Sequence, residues 1–378
     1  MGVGLDVAHI TWDPVDGFID HDTLDFEPQL VLSLGEYSAF TQGDAVSAIC
    51  RRFHPDIVLG GSSGGTVRGT RVSDGDVVLT AIRFRKAQVR LACAELRDFA
   101  TAFDAGISLG QQLADSELRL VFVLSNGLDI NGSEVIRGLA AGLPKGVPIS
   151  GGLAADGAAF KDTVLLSKGK AVKSGLCAVG LYGRSLRVGC GFAGGWSAFG
   201  PERVITRSAG NLLYELDSCS ALKLYRDYLG PHATGLPAAA LRFPLSVRAE
   251  RADSPQVVRT ILGIDDNDDA MRFAGDMPEG HLARFMFAST ARLVDGAALA
   301  AQRALEQHGV DPQLAILVSC VGRRLLMAQE AEGELDAVAE QLGSCRLSGF
   351  YANGEICHTM PGEALHNQTM TVTLVSET

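Results

Sequence analysis

Residues 119–157 read RLVFVLSNGLDINGSEVIRGLAAGLPKGVPISGGLAADG. RLVFVLS is an apolar run of strand length that gives way to Asn-Gly. SEVIRGLAAGL carries its apolar residues at helical spacing, and VPISGG returns to strand character before the turn pair Asp156-Gly157. Strand, helix and strand in that order are the unit of an α/β chain. The order recurs downstream as LAILVSC (314–320), EGELDAVAEQLG (332–343), CRLSGF (345–350) and Asn353-Gly354. The flanking segments correspond too, so residues 89–183 and 282–376 are two copies of one plan, with Ser150-Gly151 opposite Ser348-Gly349. The opening segment, PQLVLSLGEYSAF through DVVLTAIRF, reads as a partial third copy, with Gly60-Gly61-Ser62 at the same strand end. The fold class expected is α/β: two related domains with internal duplication, built of mixed β-sheets flanked by helices. Gly and Pro cluster in GPHATGLP, which places the boundary near 230 and divides the chain into 1–230 and 231–378.

Composition narrows the function. The 378 residues are 47% hydrophobic and 20% charged, ordinary for a globular chain, and the net charge of -11 leaves no basic block to neutralise a nucleic-acid backbone. No apolar run approaches the ~18 residues of a membrane span, and MGVGLDVAHITWDP lacks the pattern of a signal peptide, so a cytoplasmic protein is expected. The eight cysteines stand singly, without Cys-x-x-Cys; most read as reduced core thiols, and neither a zinc site nor a c-type haem attachment is indicated.

Three short motifs are weighed against their plainer readings. Gly61-Ser62-Ser63-Gly64-Gly65 fits G-x-S-x-G and would make Ser63 a nucleophile, but TVRGTRVSDGD follows where a helix is required, so a tight strand-end turn is expected. Residues 189–194 fit G-x-G-x-x-G, with Glu215 further on; again the helix is missing, because GWSAFGPERVITR carries Pro and β-branched residues. Asp265 to Asp269 imitate the start of a calcium loop, yet Ala270 replaces the required Gly, so a solvated acidic turn is expected. The histidines at 9, 21, 54, 232, 281, 308, 358 and 366 form no pair of metal-binding spacing. One imidazole is still enough to hold a b-type haem, and it leaves no spacing signature.

The C-terminal third carries the most specific strings: SCVGRR (319–324), GFYANGEI (349–356) and LHNQTMT (365–371). Together with SGGLAADG (150–157) and AGDMPEG (274–280), they closely resemble the signature of the FIST family of bacterial sensory proteins, which joins a FIST N to a FIST C region. The resemblance covers nearly the whole chain and implies a FIST N-like domain over about 30–230 and a FIST C-like domain from 231. Ala352-Asn353 departs from it, since relatives more often have a small hydroxyl residue and Tyr there.

Several expectations follow from the resemblance. It implies a cytoplasmic ligand-binding sensor that signals through a separate protein. A stand-alone chain of this length looks like the nitric-oxide-sensing haem proteins of the NosP type, which act on a hybrid histidine kinase within a two-component system. Haem b would then be the cofactor, with His366, His281, His232 and His358 as alternative axial ligands; Cys357 has no cation nearby to make it a thiolate. Ser319, Arg323, Gly349, Tyr351, Asn353, Glu355, Asn367 and Gln368 would line the ligand pocket, and Arg323 and Arg324 could clamp a carboxylate. The plainer reading ties 367–369 to loop backbone and gives Asn353-Gly354 to a tight turn. A haem-free receptor for an amino-acid-like metabolite is the alternative function, and an enzyme with a Ser63 or Cys320 nucleophile the third. Nucleic-acid and membrane partners are not expected, and a homodimer is allowed.

Overall fold

The computed structural model describes residues 4–128, 130–236, 238–251, 256–265, 267–358 and 365–378. Three units within it repeat one plan. In each, a central strand pairs in parallel with one neighbour and antiparallel with the other. Leu30–Gly35 lies between Val58–Ser62 and Val77–Arg83. Leu118–Ser125 lies between Ile149–Leu153 and Gly175–Tyr182. Leu314–Cys320 lies between Arg346–Ala352 and Met370–Glu377. A further antiparallel strand, Asp6–Asp13, Gln88–Glu95 or Leu186–Ala193, closes the far side. The partial third copy is therefore a full unit, and the α/β fold with mixed sheets is a triplication.

The glycines at the strand ends fall into register. Gly60 pairs with Ser33, Gly151 with Val123 and Gly349 with Leu317. A Cβ on any of the three would collide with the carbonyl oxygen of its partner, and Gly151 also has a φ of +142°. Only glycine allows the two backbones to come this close.

The units are joined by exchange. The hairpin Thr66–Arg68/Arg71–Ser73 of the first unit pairs with Arg346–Ala352 of the third. The hairpin Leu165–Ser167/Lys170–Val172 of the second pairs with Val58–Ser62 of the first. The pair Gly354–His358/Leu365–His366 of the third adds to Ile149–Leu153 of the second, which closes the ring. At the centre, Ser348 bonds to Thr80 and Ser150 to Thr373, while the corresponding positions of the remaining contact, Leu59 and Val179, share one apolar core. Asn353-Gly354, expected in a tight turn, is instead the point where the chain leaves the third unit's sheet and enters the second's.

Local chemistry sets the helices. Thr290–His308 starts at Ser289, whose side chain accepts from the Arg292 amide, and stops at Gly309 in left-handed backbone with φ +75°. Its buried face is largely small: Gly296, Ala297, Ala300, Ala301 and Ala304. That face packs on Leu186–Ala193, where a Cβ on Gly189 or Gly191 would strike the Ala304 or Ala300 carbonyl oxygen. The G-x-G-x-x-G string thus serves helix-on-strand packing within a strand. After Gly61-Ser62-Ser63-Gly64-Gly65 the chain likewise runs into strand Thr66–Arg68, as its composition led us to expect.

Between the first strand and first helix of the third unit, residues 197–287 form a sheet of their own, in which Ser197–Ala209 pairs with Leu282–Phe287 across the expected boundary at 230. Tyr225, Phe273 and Phe285 fill its core. Among the described residues no helix is long and apolar enough to cross a membrane. Six of the eight cysteines are free, in line with the expectation that most are thiols, while Cys93 and Cys177 stand directly opposite on antiparallel strands, Cα atoms 4.1 Å apart, and are bridged.

Candidate functional site

The exchange between the second and third units buries a run of polar side chains. The Asn353 amide donates to the Leu153 carbonyl at 3.1 Å, which fixes the crossing point. Glu355 then pairs with Gly152 on one side and His366 on the other, and the chain returns through Asn367, Gln368 and Thr369. Asn353, Glu355, Asn367 and Gln368 are all at least 97% buried.

Several polar atoms of this group are buried without a partner among the described residues. Glu355 Oε2 accepts from the Thr369 amide at 3.0 Å and its hydroxyl at 2.9 Å, whereas Oε1 has no oxygen or nitrogen partner among the described residues. Both side-chain atoms of Asn353 are likewise unpaired, as are Asn367 Oδ1 and Gln368 Oε1. Asn367 Nδ2 reaches the Asn353 carbonyl at 3.5 Å, and Gln368 Nε2 the Leu241 carbonyl at 3.2 Å. An unpaired buried polar atom costs about 1–3 kcal/mol, so such a concentration calls for an explanation. Burial also pushes the Glu355 carboxyl up to about 8, against the hydrogen bonds from Thr369, so it is largely neutral at pH 7.

Gln368 sits in left-handed backbone at φ +61°, unusual for a side chain with a Cβ. Its carbonyl is held by Trp196 Nε1 at 2.7 Å and Arg323 Nη1 at 3.5 Å. Backbone held in a sparsely populated region clusters at functional sites.

Of the other expected pocket residues, Ser319, Arg323 and Gly349 have structural roles, and Tyr351 is wholly buried. Arg323 is wholly buried and spends its guanidinium on Glu334 Oε2 at 2.7 Å and on the Gly194, Leu293 and Gln368 carbonyls. Ser319 donates to Glu334 Oε1 at 2.7 Å. Arg324 pairs with Asp74 at 2.6 Å and lies over the buried Tyr351 ring, tying the third unit to the first. Neither arginine is free to clamp a carboxylate as the sequence reading allowed, and Gly349 serves the strand-end register described above.

The histidines separate equally clearly. The residues around His366 do not fit a haem. Its Nε2 is 3.2 Å from the Cys357 carbonyl, its ring stacks on Phe192 with centroids 3.8 Å apart, and burial pushes it down to about 4. His281 lies at a turn, its amide donating to Pro278 and its carbonyl accepting from Ile205. His358 ends the strand that pairs with Ile149; its Nδ1 is buried with no partner among the described residues, and burial lowers its pKa. His232 has its backbone in the 3-10 segment Gly230–Gly235, and its side chain lies outside the described set.

The candidate nucleophiles lack activating surroundings. Ser63 is buried and donates to the Gly35 carbonyl at 3.2 Å. Cys320, wholly buried beside the Glu355 carboxyl, has its thiol pushed well up by burial and so stays protonated. Asp265 accepts from the amides of Asn267 and Asp268 at 3.0 and 3.3 Å, shaping the acidic turn; Asp266 falls outside the described residues. Sequence reasoning missed Glu334, Trp196 and Leu241, none of which lies in a signature string.

The FIST N domain model matches residues 29–218 and the FIST C domain model residues 221–358. The uncharacterized protein Rv0628c of Mycobacterium tuberculosis is 24% identical over 355 residues, 92% of this chain and 91% of its own. The uncharacterized protein Mb0898c of Mycobacterium bovis is 27% identical over 236 residues, 61% of this chain and 60% of its own. Among solved structures, a cyanuric acid hydrolase from A. caulinodans gives a TM-score of 0.24 at 12% identity, covering 77% of this chain and 68% of its own. A second cyanuric acid hydrolase structure gives 0.32 at 12% identity, covering 99% and 100%.

Proposed function

The chain belongs to the FIST family of small-ligand sensor domains, with N and C domains in one polypeptide, and from that premise we propose that it is a haem-free receptor for a small polar, amino-acid-like metabolite. The observation that supports this is the cluster of Asn353, Glu355, Asn367 and Gln368, buried together with polar atoms unpaired. Its carbonyl and carboxyl oxygens suit the donors of an amino group, and a cationic amine would draw the Glu355 proton off by opposite charge. The bound state would be passed to a separate signalling protein, a histidine kinase being one such partner.

A second reading, a haem protein that senses nitric oxide, rests on His358, whose Nδ1 is buried and unpaired. One experiment serves both. Thermal unfolding is recorded with a panel of amino acids, and the ultraviolet-visible spectrum is taken after expression with haem supply. An amino acid that raises the midpoint in the parent, and no longer does so in Asn353→Ala, supports the metabolite receptor. A Soret band that shifts with nitric oxide and is lost in His358→Ala, with no amino acid effective, would replace it with the haem reading.

A further inference from the structure

A concavity lies at the opposite ends of the strands that lead to the buried polar group. Leu118–Ser125, Ile149–Leu153 and Leu186–Ala193 end near Asn353 and His366, and at their starts they border a cleft of about 440 Å³. A strand of eight residues spans roughly 26 Å, so the two places are well separated.

The cleft has an unusual charge for an acidic protein. Arg119, Lys145 and Arg187 line it, and the side chain of none of the three has a hydrogen-bond or ion-pair partner among the described residues. Its carboxylate, Asp115, is already satisfied, pairing with Arg90 at 3.1 Å and accepting from the Glu117 amide at 3.0 Å, which hold its pKa low. Neighbouring Arg184 is spent on Glu117 at 3.2 Å. Three uncompensated cations thus gather in a chain whose net charge is -11. Around them are neutral groups. Gln307 gives its Oε1 to the Cys190 amide at 3.3 Å, leaving Nε2 to donate. His308 has Nδ1 at 2.9 Å from the Val310 carbonyl and Nε2 at 3.0 Å from the Ser376 hydroxyl, and burial lowers its pKa.

We propose that this cleft binds a small polyanion, an organic phosphate or polycarboxylate, through Arg119, Lys145 and Arg187. Two guanidinium groups offer paired N–H donors that match phosphate and carboxylate oxygens, and the ammonium adds a point charge. A concave wall of one sign concentrates oppositely charged solutes. The volume is in the range of small-molecule sites.

The test is titration calorimetry of the full chain with inorganic pyrophosphate and, separately, citrate, at low ionic strength and again in 0.5 M salt. Binding is expected to weaken at least tenfold in Arg119→Glu and in Arg187→Glu, and to weaken with salt. Arg51→Glu, at an exposed cation elsewhere, is expected to bind like the parent. All three positions are solvent-facing or half-buried, so circular dichroism should confirm that the variants fold. Response to pyrophosphate alone assigns the cleft to phosphates, to citrate alone to carboxylates, and either supports the site. No heat with either anion, or equal weakening by Arg51→Glu, overturns it.

Discussion

Arg323 and Glu334 form an ion pair, Nη2 to Oε2 at 2.7 Å, in which neither side chain reaches solvent. Removing one partner leaves a buried charge unpaired. Glu334→Gln is expected to cost roughly 3–5 kcal/mol, read from urea denaturation of the parent and the variant. Replacing both residues together, Arg323→Met with Glu334→Leu, removes the unpaired charge but should recover only part of the loss, because the Gly194, Leu293 and Gln368 carbonyls and the Ser319 hydroxyl lose their partners. A cost below about 1 kcal/mol for the single change would show that the pair behaves like a surface one.

Glu355 makes stability fall with alkali. Its carboxyl is raised to about 8 in the fold against an ordinary value of 4.5, so between those values the native state holds a proton that the unfolded chain has lost. The stability contributed by this group is then fully present below pH 4.5 and is lost as pH rises toward 8, by on the order of a few kcal/mol. Glu355→Gln keeps the shape and cannot ionise. Between pH 6.5 and 8, above the range in which the buried histidines titrate, the parent's denaturation midpoint should slope downward and the variant's should slope less; equal slopes would refute the assignment.

His9 and His366 act in the opposite sense. Burial holds both down to about 4 from 6.5, so the unfolded chain takes up protons that the native state refuses. Stability contributed by these rings is present above pH 6.5 and is lost as pH falls toward 4. His366→Gln is expected to shrink the drop in thermal midpoint between pH 6.5 and 4.5. A variant with the parent's full acid sensitivity would place the effect elsewhere.

Gly151→Ala and Gly349→Ala should each destabilise by roughly 1–3 kcal/mol, because the added methyl meets the carbonyl of Val123 or Leu317 on the paired strand. Gly146→Ala is a useful comparison: its Cβ would meet nothing nearby, although its φ of +84° also disfavours a side chain. Gly349 has no positive φ, so its cost isolates the collision; if Gly146→Ala proves as costly as Gly151→Ala while Gly349→Ala costs little, backbone strain rather than collision governs at Gly151.

Thiol counting tests the bridge. The denatured, unreduced protein should titrate six free thiols, Cys50, Cys190, Cys219, Cys320, Cys345 and Cys357. Reduction before denaturation should raise the count to eight. A count of eight without reductant would mean that Cys93 and Cys177 face each other as thiols.

Much of this architecture could be read from local pattern. The repeat, the α/β class and the equivalence of Gly60, Gly151 and Gly349 follow from periodicity and from glycine at matched strand ends, which are properties of short segments. Asn353, Glu355, Asn367 and Gln368 were reachable because they lie in two specific strings, GFYANGEI and LHNQTMT. Glu334 was not, since nothing in its helix marks it as the partner of Arg323 eleven residues earlier. Cys93 and Cys177 meet only through an antiparallel register across 84 residues. Hairpin exchange escaped for the same reason. Which sheet edge a strand joins depends on the closure of the whole chain, and hydrophobic alternation records only which face is buried.

That exchange makes the chain indivisible at its obvious seam. Severing it between the FIST N and FIST C matches would strip Ile149–Leu153 of Gly354–His358, and Arg346–Ala352 of Thr66–Arg68. Each fragment would then carry a raw strand edge, open to pairing with any stray strand. Two genes encoding the halves would have to be made side by side and find each other before either aggregated, which favours keeping sensor and scaffold on one transcript as one polypeptide.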